Sequence, residues 1–177
     1  MPDRTRFEKL TLPHLDAAFN LARWLTRNDQ DADDVVQDAY LRAFRFFDGF
    51  DGDNARVWLL AIVRNACFDW MTRNRRKEMV AVDDFEEMID TTFSSNDEAS
   101  NPLALLIEKS NAALVQAAIE SLPIVYREVL VMRELEELSY QEIAAIANLP
   151  QGTVMSRLSR ARAQLRMELQ QKFKDAS

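Results

Sequence analysis

With 177 residues, 47% of them apolar and 29% charged, the chain is long enough for one globular domain or two small ones and too apolar for wholesale disorder. Its net charge of -7 argues against a nucleic-acid partner only if the charge is spread evenly, and it is not: residues 1–80 and 109–177 are nearly neutral, while residues 81–108 hold 8 acids and no base. The longest apolar run, Val57 to Val63, falls far short of the roughly 18 residues of a spanning helix, and no basic-then-apolar leader opens the chain, so neither membrane insertion nor secretion is expected.

A lone Cys67 and a lone His14 leave no internal disulfide and no Cys/His zinc cluster, which suits a reducing cytoplasm and a protein without metal or cofactor. Three glycines and five prolines, four of the prolines near the ends of periodic apolar segments, predict a nearly all-helical chain. The first helix is expected over about Leu12 to Thr26, with a core stripe of Leu15, Ala18, Phe19, Ala22 and Leu25. Asn28 to Asp34 supply N-caps for a second helix to about Phe47, whose Val35, Val36, Ala39, Tyr40, Ala43 and Phe47 share one face. On its opposite face Leu41 and Phe44 lie beside Asp34, Gln37 and Asp38. That is either a protein-binding patch or a second burial face in a three-helix bundle.

Phe46 to Asn54 then reads as a turn-rich acidic loop with an exposed Phe50, and it lacks the spacing of a calcium loop. The following helix, about Ala55 to Arg76, sets Leu59, Ile62, Val63, Ala66, Cys67 and Trp70 against Arg64, Asn65, Phe68, Thr72, Arg75 and Arg76. Cations around an aromatic ring are what holding an unpaired nucleic-acid strand requires: guanidinium groups track phosphates and the ring stacks on a base. Trp58 and Phe50 lie near enough in sequence to join that platform. The competing interpretation packs Phe68 and Trp58 on another helix and leaves the arginines solvated.

Residues 81–108, with Ser94, Ser95, Ser100 and Pro102, read as an acidic flexible linker in which Phe85, Met88, Ile89 and Phe93 are the candidates for docking. Past it, Leu114, Val115, Ala118 and Ile119 mark a helix ending at Ser121-Leu122-Pro123, and Tyr126, Val129, Leu130 and Met132 mark the next. Ser139-Tyr140-Gln141-Glu142 is a capping box. The short helix it starts stops at Asn148, a residue tolerant of the left-handed turn. The last helix places Val154, Leu158, Ala161, Leu165 and Leu169 on one side and Thr153, Ser156, Arg157, Arg160 and Gln164 on another. This is a helix-turn-helix whose second helix opens with the short polar and cationic side chains that major-groove entry demands.

On these segments the chain resembles the extracytoplasmic-function (ECF) sigma factors of bacterial RNA polymerase. D-A-D-D-V-V-Q-D-A-Y-L-R-A-F, residues 31–44, looks like the family's core-binding helix, and residues 58–76 look like its −10 reading helix. L-P-x-x-Y-R-E-V-L and the segment from Leu138 to Arg162 look like its −35 domain. The resemblance implies an all-α protein of two small helical domains, residues 10–80 and 109–172, joined by the linker at 81–108. It implies an alternative sigma factor, not an enzyme, that reads the −35 duplex and melts and captures the −10 nontemplate strand. Asp34, Gln37, Asp38, Leu41 and Phe44 would bind the polymerase core, whose β′ clamp helices and β subunit are the implied partners with promoter DNA and an anti-sigma factor. Phe50, Asp51, Asn54, Trp58, Arg64, Asn65, Phe68, Thr72, Arg75 and Arg76 would bind −10 DNA; Thr153, Ser156, Arg157 and Arg160 would bind −35 DNA. Met155 stands where the family often has lysine and Asn148 where glycine is frequent, so promoter specificity does not carry over.

Two rivals come from other classes. A conventional DNA-binding regulator would use the N-terminal helices to dimerise and would bind a palindromic operator without polymerase. An enzyme is disfavoured because the acidic clusters lack a paired base, a metal set or a phosphate-cradling glycine loop.

Overall fold

The computed structural model describes residues 2–74 and 112–176, and every element assigned in them is helical. They fall into two compact units, one containing residues 2–74 and the other most of residues 112–176. Arg75, Arg76 and the linker, with its four candidate docking residues, lie outside the described residues.

The N-terminal unit holds α1 (Arg4–Thr11), α2 (Leu15–Thr26), α3 (Asp29–Phe46) and α4 (Ala55–Asn74). The single helix expected from Leu12 begins three residues later. Leu12–His14 form a 3-10 turn with Pro13 inside it, and a separate helix, α1, precedes them. Asp3 starts α1, its carboxylate accepting from the Arg6 amide at 3.2 Å. Arg27 ends α2 in the left-handed conformation, φ 62°, and Asn28 immediately caps α3 by accepting from the Asp31 amide at 2.9 Å. A 2.6 Å ion pair, Arg23 to Asp29, spans this corner.

Helices α2, α3 and α4 pack on one another around Leu21, Leu25, Val35, Ala39, Leu59, Leu60, Val63 and Met71. The expected core face of α3 is buried, except that Tyr40 is half-buried. The stripe on α2 needs correction: Leu15 is exposed and Phe19 half-buried, and the buried leucines are Leu21 and Leu25. On α4, Ile62 and Trp70 are half-buried, and Leu60 and Met71 enter the core instead. That helix carries large apolar residues around much of its circumference, so its periodicity does not single out one face.

The C-terminal unit holds α5 (Ala112–Glu120), α6 (Ile124–Glu134), the first half of α7 (Tyr140–Ala147) and α8 (Gln151–Ala176). Its core face on α8 is the expected one: Val154, Leu158, Ala161, Leu165 and Leu169 are all buried, and α8 packs along α5 and α6. Residues 126–132 of α6 are buried on every side, Arg127 and Glu128 included. The Arg127 guanidinium donates to the carbonyl oxygens of Glu120, at 3.0 Å, and Leu122, at 2.8 Å, so it caps the end of α5 and its turn. Helix C-termini leave carbonyls unpaired and carry partial negative charge, which a buried cation there satisfies on both counts. Arg162 on α8 closes a 2.8 Å ion pair with Glu134 on α6.

Candidate nucleic-acid interface

The helix-turn-helix is built from local backbone devices. The Ser139 hydroxyl accepts from the Glu142 amide at 3.1 Å, and the Glu142 carboxylate accepts from the Ser139 amide at 3.0 Å, which closes the capping box. Asn148 turns the chain with φ 55°, the Leu149 amide bonds back to the Ala144 carbonyl at 3.0 Å, and the Pro150 carbonyl accepts from the Thr153 and Val154 amides in the first turn of α8. Arg133 braces the approach to this motif, donating to the Leu138 carbonyl at 3.0 Å with its guanidinium over the Tyr140 ring. At the start of α8, Ser156 and Met155 are exposed, and Thr153, Arg157 and Arg160 are half-buried. Among the four residues expected to meet a duplex, the cations are therefore less open than the serine. Exposed Met155 offers thymine methyl groups a contact and phosphates none.

In the N-terminal unit α4 presents a wet side: Asn65 and Thr72 are exposed, and Arg64 and Phe68 are half-buried. The Arg64 guanidinium lies 3.8 Å from the Phe68 ring centroid, stacked on it. Helix spacing accounts for this, since residues four apart share a face. The guanidinium thus covers one face of the ring.

The loop between α3 and α4 differs from its expected form in one respect. Phe50, read from its glycine- and acid-rich surroundings as exposed, is 8% accessible. Its ring centroid is 4.7 Å from that of Trp58 and 6.2 Å from that of Phe47, so it closes the base of the loop instead of standing free. Asp51 is exposed. Asn54 is exposed in the left-handed conformation, φ 47°, and its side-chain oxygen accepts from the Val57 amide at 3.2 Å as the N-cap of α4. Phe47 continues the ring cluster to Phe7 of α1, at 5.3 Å, and Phe7 meets Phe44 edge-on at 5.2 Å and Tyr40 at 6.2 Å. The sequence reasoning missed Phe7, the one aromatic in an octapeptide too polar to show a stripe.

On α3, Asp34, Gln37 and Leu41 are exposed, Leu41 by 63%, and Phe44 is half-buried against Phe7. Gln37, Leu41 and Phe44, but not Asp34, border a groove of about 550 Å³ that Phe7, Leu12, Tyr40, Leu41 and Phe44 line with apolar surface. Asp38 is partly committed elsewhere: Arg42 bonds it at 2.8 Å and bonds Asp69 of α4 at 2.6 Å. That hydrogen bond to Asp69 is the main cause holding the Arg42 guanidinium above its ordinary pKa. Burial pushes the Tyr40 phenol up to about 12, and its hydroxyl donates to the Thr11 carbonyl at 2.9 Å. Burial, and secondarily the Arg56 charge, lower His14.

Two family models match, Sigma-70 region 2 over residues 10–77 and Sigma-70 region 4 over residues 112–165. The ECF RNA polymerase sigma-E factor of Escherichia coli K12 is 40% identical over 134 residues, 75% of this chain and 70% of that one. The chain belongs to the ECF RNA polymerase sigma factors. Sigma factors of this family are regulatory transcription initiation factors. The ECF sigma factor SigE of Mycolicibacterium smegmatis is 32% identical over 160 residues, 90% of this chain but only 60% of that relative's length. Among solved structures, the sigma factor RpoE in complex with the anti-sigma factor NepR from Bartonella quintana has a TM-score of 0.69 at 26% identity, over 93% of this chain and 97% of that one. CnrH in complex with the cytosolic domain of CnrY has a TM-score of 0.66 at 28% identity, over 95% and 90%. Residues 4–9, most of α1, lie ahead of the region 2 match. No helix among the described residues of this ECF sigma factor is long and apolar enough to cross a membrane.

Proposed function

We propose that this ECF sigma factor binds RNA polymerase core in the cytoplasm and selects promoters with both units. Residues 109–172 read the −35 duplex, residues 10–80 bind core and melt and capture the −10 nontemplate strand, and residues 81–108 link them. Asp34, Gln37, Asp38, Leu41 and Phe44 meet the β′ clamp helices across the polar rim and apolar groove of α3, and further contacts are made to the β subunit. Thr153, Ser156, Arg157 and Arg160 enter the −35 major groove. Arg64, Phe68 and Thr72 hold the displaced strand, with Trp58 joining their platform, Phe50, Asp51, Asn54 and Asn65 forming the base pocket, and Arg75 and Arg76 extending the cationic track. Because Phe50 is buried, its part in that pocket is to form the floor.

The observation that carries this reading is the side of α4 where Arg64 stacks on a half-buried Phe68 between exposed Asn65 and Thr72. A ring and a cation held together at the surface suit a single strand, and each captured base contributes about 1–3 kcal/mol of stacking toward the cost of opening the duplex. Both structural neighbours are complexes with regulators, NepR and CnrY. By the same chemistry an anti-sigma partner would cover the α3 groove or the DNA-binding faces of this chain. Run-off transcription with polymerase core tests the proposal. A promoter selected by the holoenzyme should give a defined transcript that Phe68→Ala abolishes at the opening step, and no promoter-specific transcript with the wild-type chain rejects it.

A further inference from the structure

The loop proposed to receive the flipped −10 base has an electrostatic problem. Between Phe46 and Ala55 it carries Asp48, Asp51 and Asp53, all exposed, and no cation. A nucleotide entering it brings a phosphate, and like charges at close range repel. Its rings cannot compensate, because Phe47 and Phe50 are buried in the cluster beneath it.

A cation reaches the loop from elsewhere in the chain. Arg6 of α1 is exposed, its guanidinium carbon is 5.4 Å from the Phe47 ring centroid, and a Cβ built on Gly52 would lie 3.8 Å from its Nη2. Gly52 has φ 95°, a conformation that suits glycine, so the backbone passes close to the guanidinium without a side chain between them. Phe7, buried next to Arg6 in sequence, fixes α1 against Phe44 and Phe47 and so holds the arginine at this site. A guanidinium resting over a ring still offers N–H groups at its edge, and its planar fork matches two phosphate oxygens.

We infer that Arg6 is a further DNA contact, gripping the backbone phosphate of the nucleotide captured at residues 48–54. The inference rests on the proposed use of that loop. It gives α1, most of which precedes the family match, a direct part in strand binding beyond its packing role. The alternative is that Arg6 only packs on Phe47 and offsets the carboxylates.

Salt dependence separates the two. The full chain, assembled with polymerase core, is titrated with fluorescent fork-junction DNA whose single-stranded −10 segment the wild-type holoenzyme has selected from a randomised pool. Affinities are normalised to those for the isolated −35 duplex. Arg6→Ala should weaken fork binding roughly tenfold at low salt and lower the slope of log K against log salt by about 0.7, the contribution of one single-strand phosphate. Arg6→Lys, which keeps the charge, should keep the slope. Weaker binding by Arg6→Ala with an unchanged slope, or no weakening, overturns the inference while leaving the loop's proposed role intact. A wild-type holoenzyme that binds the fork no better than a blunt duplex overturns both.

Discussion

The turn before α8 and the loop before α4 each contain an asparagine in the left-handed conformation, Asn148 and Asn54, yet they are held in place differently. Around Asn148 the geometry comes from groups within a few residues: the capping box, the bond from Leu149 to Ala144 and the Pro150 carbonyl. The loop at Asn54 sits on rings contributed by α1, α3 and α4 as well as by its own Phe50. A locally built site tolerates change in distant parts of its unit. One resting on tertiary packing moves whenever a remote ring is altered, and the following substitutions probe that contrast.

The largest effect is expected from Phe7→Ala, which should destabilise the N-terminal unit by about 3–5 kcal/mol. All three tryptophans, Trp24, Trp58 and Trp70, belong to that unit, so urea unfolding followed by their emission measures it directly. Arg127→Met, which removes the buried cap on the Glu120 and Leu122 carbonyls, should cost the C-terminal unit about 3 kcal/mol. Circular dichroism should then register an earlier transition while tryptophan emission stays put. If both shift together, the units unfold as one and the contrast is lost.

Arg160→Ala should weaken binding to the −35 duplex by about 1–3 kcal/mol if the arginine reads a guanine, leaving single-strand binding unaltered. An unaltered −35 footprint rejects that assignment. Ser139→Ala should lower C-terminal stability by about 1 kcal/mol, seen as faster hydrogen exchange at the first amides of α7. The smallest effect concerns pH. Tyr40 keeps its proton in the folded state up to about 12 against 10 for an ordinary phenol. Between those values the folded chain binds more protons than the unfolded one, so stability declines as pH rises through that window. The absorbance difference between wild type and Tyr40→Phe should therefore titrate near 12, not near 10.

The same contrast explains what the sequence made legible. Capping box, Asn148 turn and the α8 core stripe are each written within a few adjacent residues, and all are present as expected. The apolar face of α3 was equally readable, because a long helix repeats its pattern. Burial of Phe50 was not, since nothing beside Asp48, Gly49, Asp51 and Gly52 announces that Trp58 folds over it. Nor was α1, whose single buried aromatic matters only once α3 and the loop have brought three other rings around it. Arg127 was visible only as part of a family motif. Its work depends on carbonyls left open at the end of the preceding helix, a three-dimensional circumstance that composition does not reveal.

Cys67, the only cysteine in the chain, is fully enclosed in the middle of α4. A maleimide or disulfide reagent can therefore modify the native chain only when that helix lifts away from its neighbours. Labelling rates before and after polymerase or DNA is added thus clock the breathing of the N-terminal bundle, with the wild-type thiol as the probe and no engineered tag.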